Sequence, residues 1–201
     1  LFQKIPFKIF DEYFVVNGGS NDGTIEFFRK KKVKVYLQDK PGHGEAYKFG
    51  MKKVKGDVIV YFSGDGNERP EDISRMLREI KKGYDLVIAS RFMKGAKTFD
   101  AGPGRRFGNR FFTFLVNFFW DGGITDVFNA LRAVNKKSIK RLNLESSFFD
   151  TELEMIVKAI KKGYKIKEIP VVEEKRIGGK AKLQTWRDGK MNLSRFLKEL
   201  F

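Results

Sequence analysis

The chain has 201 residues, 41% of them hydrophobic and 21 of them Phe, which suffices for the core of one domain and excludes disorder over most of its length. Lys and Arg number 41 against 25 Asp and Glu, a net charge of +16, so an anionic partner is expected: nucleic acid, anionic lipid or a phosphorylated small molecule. With no Cys and one His, disulfide frameworks, thiolate zinc sites, a Cys nucleophile and a multi-His metal site are excluded, and no apolar run approaches the roughly 18 residues of a membrane span.

Strands and helices alternate along the chain. Tyr13–Asn17 reads as a short strand stopped by Gly18 and Gly19, and Val33–Leu37 as a second. Ala46, Phe49, Gly50 and Val54 share a helical face. Asp57–Phe62 is continuously apolar and predicts a central strand. Ile73, Met76, Leu77 and Ile80 predict a helix that starts near Pro70, has Glu71 and Asp72 in its first turn, and ends at Gly83. Asp85–Ser90 is a fourth strand. Arg106–Trp120 predicts a helix with two apolar faces, one of Phe107, Phe111, Phe114, Leu115 and Phe118, the other of Phe112, Val116, Phe119 and Trp120. Such a helix is either covered on both faces, by the core or a second copy of the chain, or touches something apolar outside, such as a membrane surface. Leu153, Ile156, Val157 and Ile160 mark a further helix, Lys165–Val172 a late strand whose Pro170 suits an edge or a strand end, and Leu193, Phe196, Leu197 and Leu200 a last helix. The alternation implies an α/β fold with a mainly parallel sheet covered by helices, its ligand beyond the carboxyl ends of the strands. The opening residues do not read as a secretory signal. High Lys with only three Gln suits a thermophile's composition.

Two loops leave strand ends with the chemistry of a ligand site. Val15–Thr24 is rich in glycine and enters a helix, where free N–H groups suit a phosphate or a base. Tyr61–Asn67 carries Asp65 between Gly64 and Gly66, with Asn67 behind it. An acid and an amide beside phosphates suit Mg²⁺ or Mn²⁺, although Asp65 could equally cap a turn.

In order, these segments resemble the family 2 glycosyltransferases of the GT-A fold, which show a "VVDDGSxDGT" turn, a "GxGxA" segment and an Asp-x-Asp loop followed by "PED". The corresponding segments here are Val15–Thr24, Gly42–Ala46 and Ser63–Asp72. The resemblance continues through Gly83–Phe92, Arg106–Asn109, Asp126, Leu131–Ala133, Glu152–Glu154, Glu168–Val171 and Arg176–Leu183. It is nearest to the dolichol- or polyprenyl-phosphate sugar synthases. It implies one catalytic domain over 1–201, with a nucleotide-sugar half at 1–92 and an acceptor half at 93–201. The activity implied is inverting transfer of a sugar from a UDP- or GDP-linked donor to a polyprenyl (dolichyl) phosphate. The alternatives are a soluble sugar acceptor, or a nucleotide- or anion-binding protein without turnover. Nucleic acid is not expected as a partner, because no RNA- or DNA-binding signature is present.

The resemblance also assigns residues. Asp65 would hold Mg²⁺ or Mn²⁺. The donor would meet Asn17, Gly18, Gly19, Ser20, Asp22, Gly42, His43, Gly44, Ser63, Gly64, Asn67 and Arg91. The acceptor or its phosphate would meet Arg105, Arg106, Asn109, Asp126, Arg132, Glu152, Lys180 and Lys182. Glu154 would position the acceptor, and Arg176 would act on phosphate in a closing loop. Glu152 and Glu154 lie two residues apart, so one is expected to face the cleft and the other solvent. Asn17 and Gly18 stand where the family has Asp, and Ser63 replaces the first Asp of the acidic loop, which implies altered metal binding. The family's opening strand is not read; the sequence begins within the helix that follows. Net charge and the Phe-rich helix together imply a protein peripheral on the cytoplasmic face of an anionic membrane, with a homodimer as the other way to cover that helix.

Overall fold

The computed structural model describes residues 2–177 and 185–201. Two short 3-10 turns, Phe2–Lys4 and Phe7–Ile9, lead into β1 (Phe14–Asn17). Helix α1 (Thr24–Lys30) carries the chain to β2 (Lys34–Leu37), which pairs in parallel with β1. Then follow α2 (His43–Lys53), β3 (Val58–Tyr61), α3 (Glu71–Lys81), β4 (Leu86–Ser90) and β5 (Lys97–Thr98). The second half adds α4 (Pro103–Trp120), β6 (Arg132–Asn135), α5 (Lys136–Leu142), α6 (Thr151–Lys161), β7 (Ile166–Pro170), β8 (Val172–Glu173) and α7 (Thr185–Leu200).

The central sheet has the spatial order β3-β6-β4-β7. β4 and β7 run parallel, as strand–helix alternation requires, and β5 pairs in parallel with β8. β6 is the exception: it lies antiparallel between β3 and β4. The mainly parallel expectation therefore fails at the middle of this sheet. The sequence hides the strand because it is four residues long and opens with Arg132, a charge where a core residue is expected. The fold accommodates the guanidinium by hydrogen bonds to three main-chain carbonyls, Val127 at 2.7 Å, Asn129 at 2.8 Å and Glu152 at 2.9 Å.

Every residue of β4 is buried. Successive side chains of a strand point to opposite faces, and both faces are covered. Leu86 and Ile88 pack with Val134 and with α4, α6 and α7, whereas Val87 and Ala89 pack with Ala133 and the Ile73, Met76 and Ile80 stripe of α3. The expected late strand bends after Pro170, ending β7 on the sheet edge and leaving β8 to pair elsewhere.

Candidate active site

The loop after β3 and the segment after β8 close on each other at the carboxyl ends of the strands. Arg176 Nη1 lies 2.7 Å from Asp65 Oδ2, and its Nη2 lies 3.9 Å from Asp100. Main chain reinforces the contact: Ile177 N donates to Asp65 O at 3.2 Å, and Glu174 N donates to Asn67 O at 2.8 Å. Gly66 is required here, having φ +84° and a position where a Cβ would fall 2.5 Å from Ile177. Both partners of the ion pair keep about a quarter of their side-chain surface in solvent. The acid and the cation that the sequence places in separate motifs are thus one cluster.

Within the acidic loop, the Ser63 hydroxyl donates to Asp65 Oδ1 and Ser63 N donates to Glu68 at 2.6 Å. Burial pushes the Glu68 carboxyl up to about 8, assisted by the charges of Asp65 and Glu173 and opposed by the Ser63 N–H and Arg91. Asn67 donates its amide N–H to Glu173 at 3.2 Å, while its buried Oδ1 has no hydrogen-bond partner among the described residues. An unpartnered carbonyl oxygen beside a carboxylate loop fits an oxygen-loving divalent cation. No group of three or more His, Cys, Asp or Glu positioned to hold a metal occurs among the described residues. The fit is therefore to an open site completed by a ligand's own oxygens.

Among the residues expected to meet the donor, Asn17 is buried and folds back, its Oδ1 accepting from Gly19 N and Ser20 N, each at 2.7 Å. This is an Asx turn. Asp22 accepts from Thr24 N–H and hydroxyl at the start of α1. Gly18 approaches the Gln38 side chain, whereas a Cβ on Gly19 or Gly64 would meet only open space. Gly42 and Gly44 have a different purpose: a Cβ on either would fall 2.1 Å from Ser147 O or Thr151 Oγ1. These glycines let α2 dock on the 146–151 segment, where Gly44 N donates to Ser147 O at 2.9 Å.

That docking creates a pair the sequence did not reveal. His43 Nε2 lies 2.7 Å from Glu152 Oε1, and the imidazole stacks on Phe149. Burial disfavours the imidazolium, but the charge and hydrogen bond of Glu152 outweigh it, so the His43 pKa is raised. Burial likewise pushes Glu152 upward, and His43 and Arg132 overcome it, so its pKa is lowered. The nearby charge of Asp65 also favours the imidazolium.

The two helix acids do not divide between cleft and solvent as expected; both are buried. Glu154 accepts from Glu145 N and Ser146 N, each at 2.8 Å, and from Lys158 at 2.6 Å. Its carboxylate is held inside the fold, where it fixes the turn that receives α2. Two acids two residues apart are both buried because Thr151–Val157, the first turns of α6, are covered on every side.

The remaining cations and polar groups are also engaged internally. Arg91 bonds Asp126 through Nε at 2.7 Å and Nη2 at 3.0 Å, and reaches Glu173 at 3.3 Å. Asn109 donates to Asp126 at 2.6 Å, and Thr98 donates to Glu173. Burial opposes both charges of the Arg91–Asp126 pair, yet their attraction wins: Arg91 is shifted up and Asp126 down. Arg105 contacts Asp100, and Arg106 donates to the carbonyls of Ala101 and Thr98. Arg132, Asn109 and Asp126 are buried and Arg91 nearly so, each bonded to groups within the fold. Lys180 and Lys182 lie outside the described residues.

The fold is a doubly covered α/β sheet that sets an acidic loop, a glycine turn and a facing cation at its strand ends, where sheets of this kind take their ligands. Residues 6–142 match the family model described as glycosyl transferase family 2, and the chain belongs to that family. Glycosyltransferase AglJ of Haloferax volcanii is 30% identical over 187 residues, covering 90% of this chain and 60% of AglJ. Low-salt glycan biosynthesis hexosyltransferase Agl6 of the same organism is 28% identical over 178 residues, covering 87% of this chain and 43% of Agl6. The chain therefore spans about half the length of these two relatives. Glucosyl-3-phosphoglycerate synthase of Mycobacterium tuberculosis, solved with Mn²⁺, UDP-glucose and glycerol 3-phosphate, shares the fold. Its TM-score is 0.76 at 16% identity, covering 98% of this chain and 73% of that one. The GT-A architecture of this chain follows from that likeness and the family match.

Proposed function

We propose that the chain transfers a sugar, with inversion, from a UDP- or GDP-linked donor to a polyprenyl (dolichyl) phosphate. The observation that carries the reading is the Asp65–Arg176 pair at the strand ends, in a member of a glycosyltransferase family. Asp65 and the unpartnered Asn67 Oδ1 are the groups that would hold Mg²⁺ or Mn²⁺, which neutralises charge on a diphosphate when bound. The Mn²⁺ and UDP-glucose of the mycobacterial synthase support that choice.

In the reaction an acceptor phosphate oxygen forms a bond to the anomeric carbon as the bond from that carbon to the diphosphate oxygen breaks. The nucleoside diphosphate leaves with the electron pair. An ionised phosphate has no proton to lose, so no general base is needed. The burial of Glu154 is compatible with that chemistry. Arg176, once released from Asp65, is the cation placed to meet charge developing on the leaving diphosphate. His43, held by Glu152 and with its pKa raised by that carboxylate, adds positive charge on the donor side when it is protonated.

A soluble acceptor is the second reading, favoured by the glycerol 3-phosphate and phosphoglyceric acid named for the mycobacterial synthase. Both readings share a phosphate-bearing acceptor. The test is incubation with UDP- and GDP-sugars and Mn²⁺ or Mg²⁺, offering polyprenyl phosphate and 3-phosphoglycerate in parallel, with products read by mass spectrometry and binding by thermal shift. A glycosylated lipid phosphate supports the proposal. Product on 3-phosphoglycerate alone transfers the assignment to a soluble acceptor, and nucleotide binding without product leaves a binding protein.

A further inference from the structure

We propose that α4 and α7 form a docking face for an anionic lipid surface. On α4, Phe107, Phe111, Phe114 and Phe118 fall at i, i+4, i+7 and i+11 and stand in solvent, with Phe107 74% and Phe118 71% exposed. They are preorganised as two stacked pairs, with ring centroids 6.5 Å apart for Phe107–Phe111 and 5.9 Å for Phe114–Phe118. The opposite side of the helix, Phe112, Thr113 and Val116, is buried. The two apolar faces read from the sequence therefore have different fates: Phe107, Phe111, Phe114 and Phe118 are uncovered, whereas on the other face Phe112 and Val116 are core, Trp120 is half-buried and Phe119 stays exposed.

A second exposed stripe lies on the neighbouring helix. Phe119 and Trp120 of α4 close on Phe196 of α7, at centroid distances of 5.5 and 5.2 Å. On α7, Trp186, Leu193 and Leu197 repeat the same spacing of i, i+7 and i+11, and Trp186 is 87% exposed. A row of exposed aromatic and aliphatic side chains on two packed helices exceeds the scattered apolar exposure of an ordinary surface.

Charge decides the occupant. Residues 103–120 contain no Asp or Glu. The two acids of α7, Asp188 and Glu199, are both buried. The exposed charges of both helices are consequently all positive, with Arg110 flanking the first stripe and Lys190 lying within the second. Apolar side chains rimmed by cations suit an interface of acyl chains and anionic headgroups, where neither attraction suffices alone. Pairing this face with its own copy would bring like charges together in a chain already at +16. None of the helices among the described residues is long and apolar enough to cross a membrane, so this association is interfacial. It rests on the surface alone and stands whether the sugar acceptor is a lipid or a soluble phosphate.

The test is flotation of the chain with vesicles of phosphatidylcholine, or of phosphatidylcholine with phosphatidylglycerol, without donor or metal. The expected result is binding to the anionic vesicles that weakens as salt rises, and much weaker binding to the neutral ones. The Phe107→Ser, Phe114→Ser, Phe118→Ser triple variant should lose at least tenfold in partitioning. Arg110→Glu with Lys190→Glu should lose binding to anionic vesicles. All these residues are exposed, so unchanged circular dichroism and melting are expected of both variants. If the chain ignores both vesicles at low salt, or the triple variant floats as well as the parent, the proposal is overturned. Light scattering that shows a dimer abolished by the triple variant overturns it in favour of a second copy.

Discussion

Asp65 and Arg176 each have a partner in the other, and that bears on what either substitution does. The pair is partly exposed, so its contribution to stability is about 1 kcal/mol or less. Asp65→Ala should leave the fold intact and abolish cation-dependent nucleotide binding, measured by calorimetric titration with and without Mn²⁺; unchanged binding would remove Asp65 from the site. Arg176→Ala should lower turnover tenfold or more, about 1.4 kcal/mol per factor of ten, while the melting temperature barely moves. Arg176→Lys should retain part of the activity, because a point charge cannot reproduce the planar fork of a guanidinium. Full activity in the alanine variant would make the 174–177 segment scaffold.

His43 and Glu152 predict a pH window. A raised His43 pKa contributes stability that is complete below the ordinary value of 6.5 and disappears as pH rises through the folded value. A lowered Glu152 pKa contributes stability present above the ordinary 4.5 and lost as pH falls through its folded value. The pair therefore supports the fold most between those two ordinary values. Denaturant unfolding of the parent should show stability declining above pH 6.5. His43→Gln should flatten that decline, and an equal slope in the two proteins would place the titration elsewhere.

At the scale of elements, the docking of α2 on the 146–151 segment sets the geometry of the site. Gly44 is helical, so strain at φ is not the issue; the obstacle is space. A methyl there meets Thr151 Oγ1 at 2.1 Å and the main-chain oxygen of Ser146 at 2.5 Å. Gly44→Ala should cost about 1–3 kcal/mol as an overpacking change and should also displace His43 from Glu152. The measurement is chemical denaturation together with the pH profile above. A neutral Gly44→Ala would show that α2 docks less closely than described. The segment "GxGxA" was legible as a motif, but its purpose was not. Glycine is equally demanded by a phosphate and by a neighbouring backbone, and only the neighbour's position separates the two.

Across the whole molecule, Arg91 ties β4, β8 and the α4–β6 connection together through Glu173, Asp126 and, beyond it, Asn109. Removing one partner of a buried pair leaves the others uncompensated, so Arg91→Ala should cost about 3–5 kcal/mol. It should lower the melting temperature far more than Arg176→Ala does. A small shift would show that the network is dispensable.

The sequence by itself determined the α/β class, the two strand-end loops, the Asp65 acid and the helix faces. Each of these is written in local periodicity or in glycine and acid spacing within a few residues. Tertiary structure decided the rest. It put β6 antiparallel in the centre of the sheet, where carbonyls from three other positions satisfy the buried Arg132. It buried both Glu152 and Glu154, joined His43 to Glu152 across 109 residues, and set Arg176 on Asp65. It also left the Phe107, Phe111, Phe114 and Phe118 stripe of the Phe-rich helix open while burying Phe112 and Val116 on its other side. A charged side chain looks alike in sequence whether it meets solvent, a ligand or a buried partner. Its partner is chosen by folding, from residues too distant along the chain for any local pattern to record.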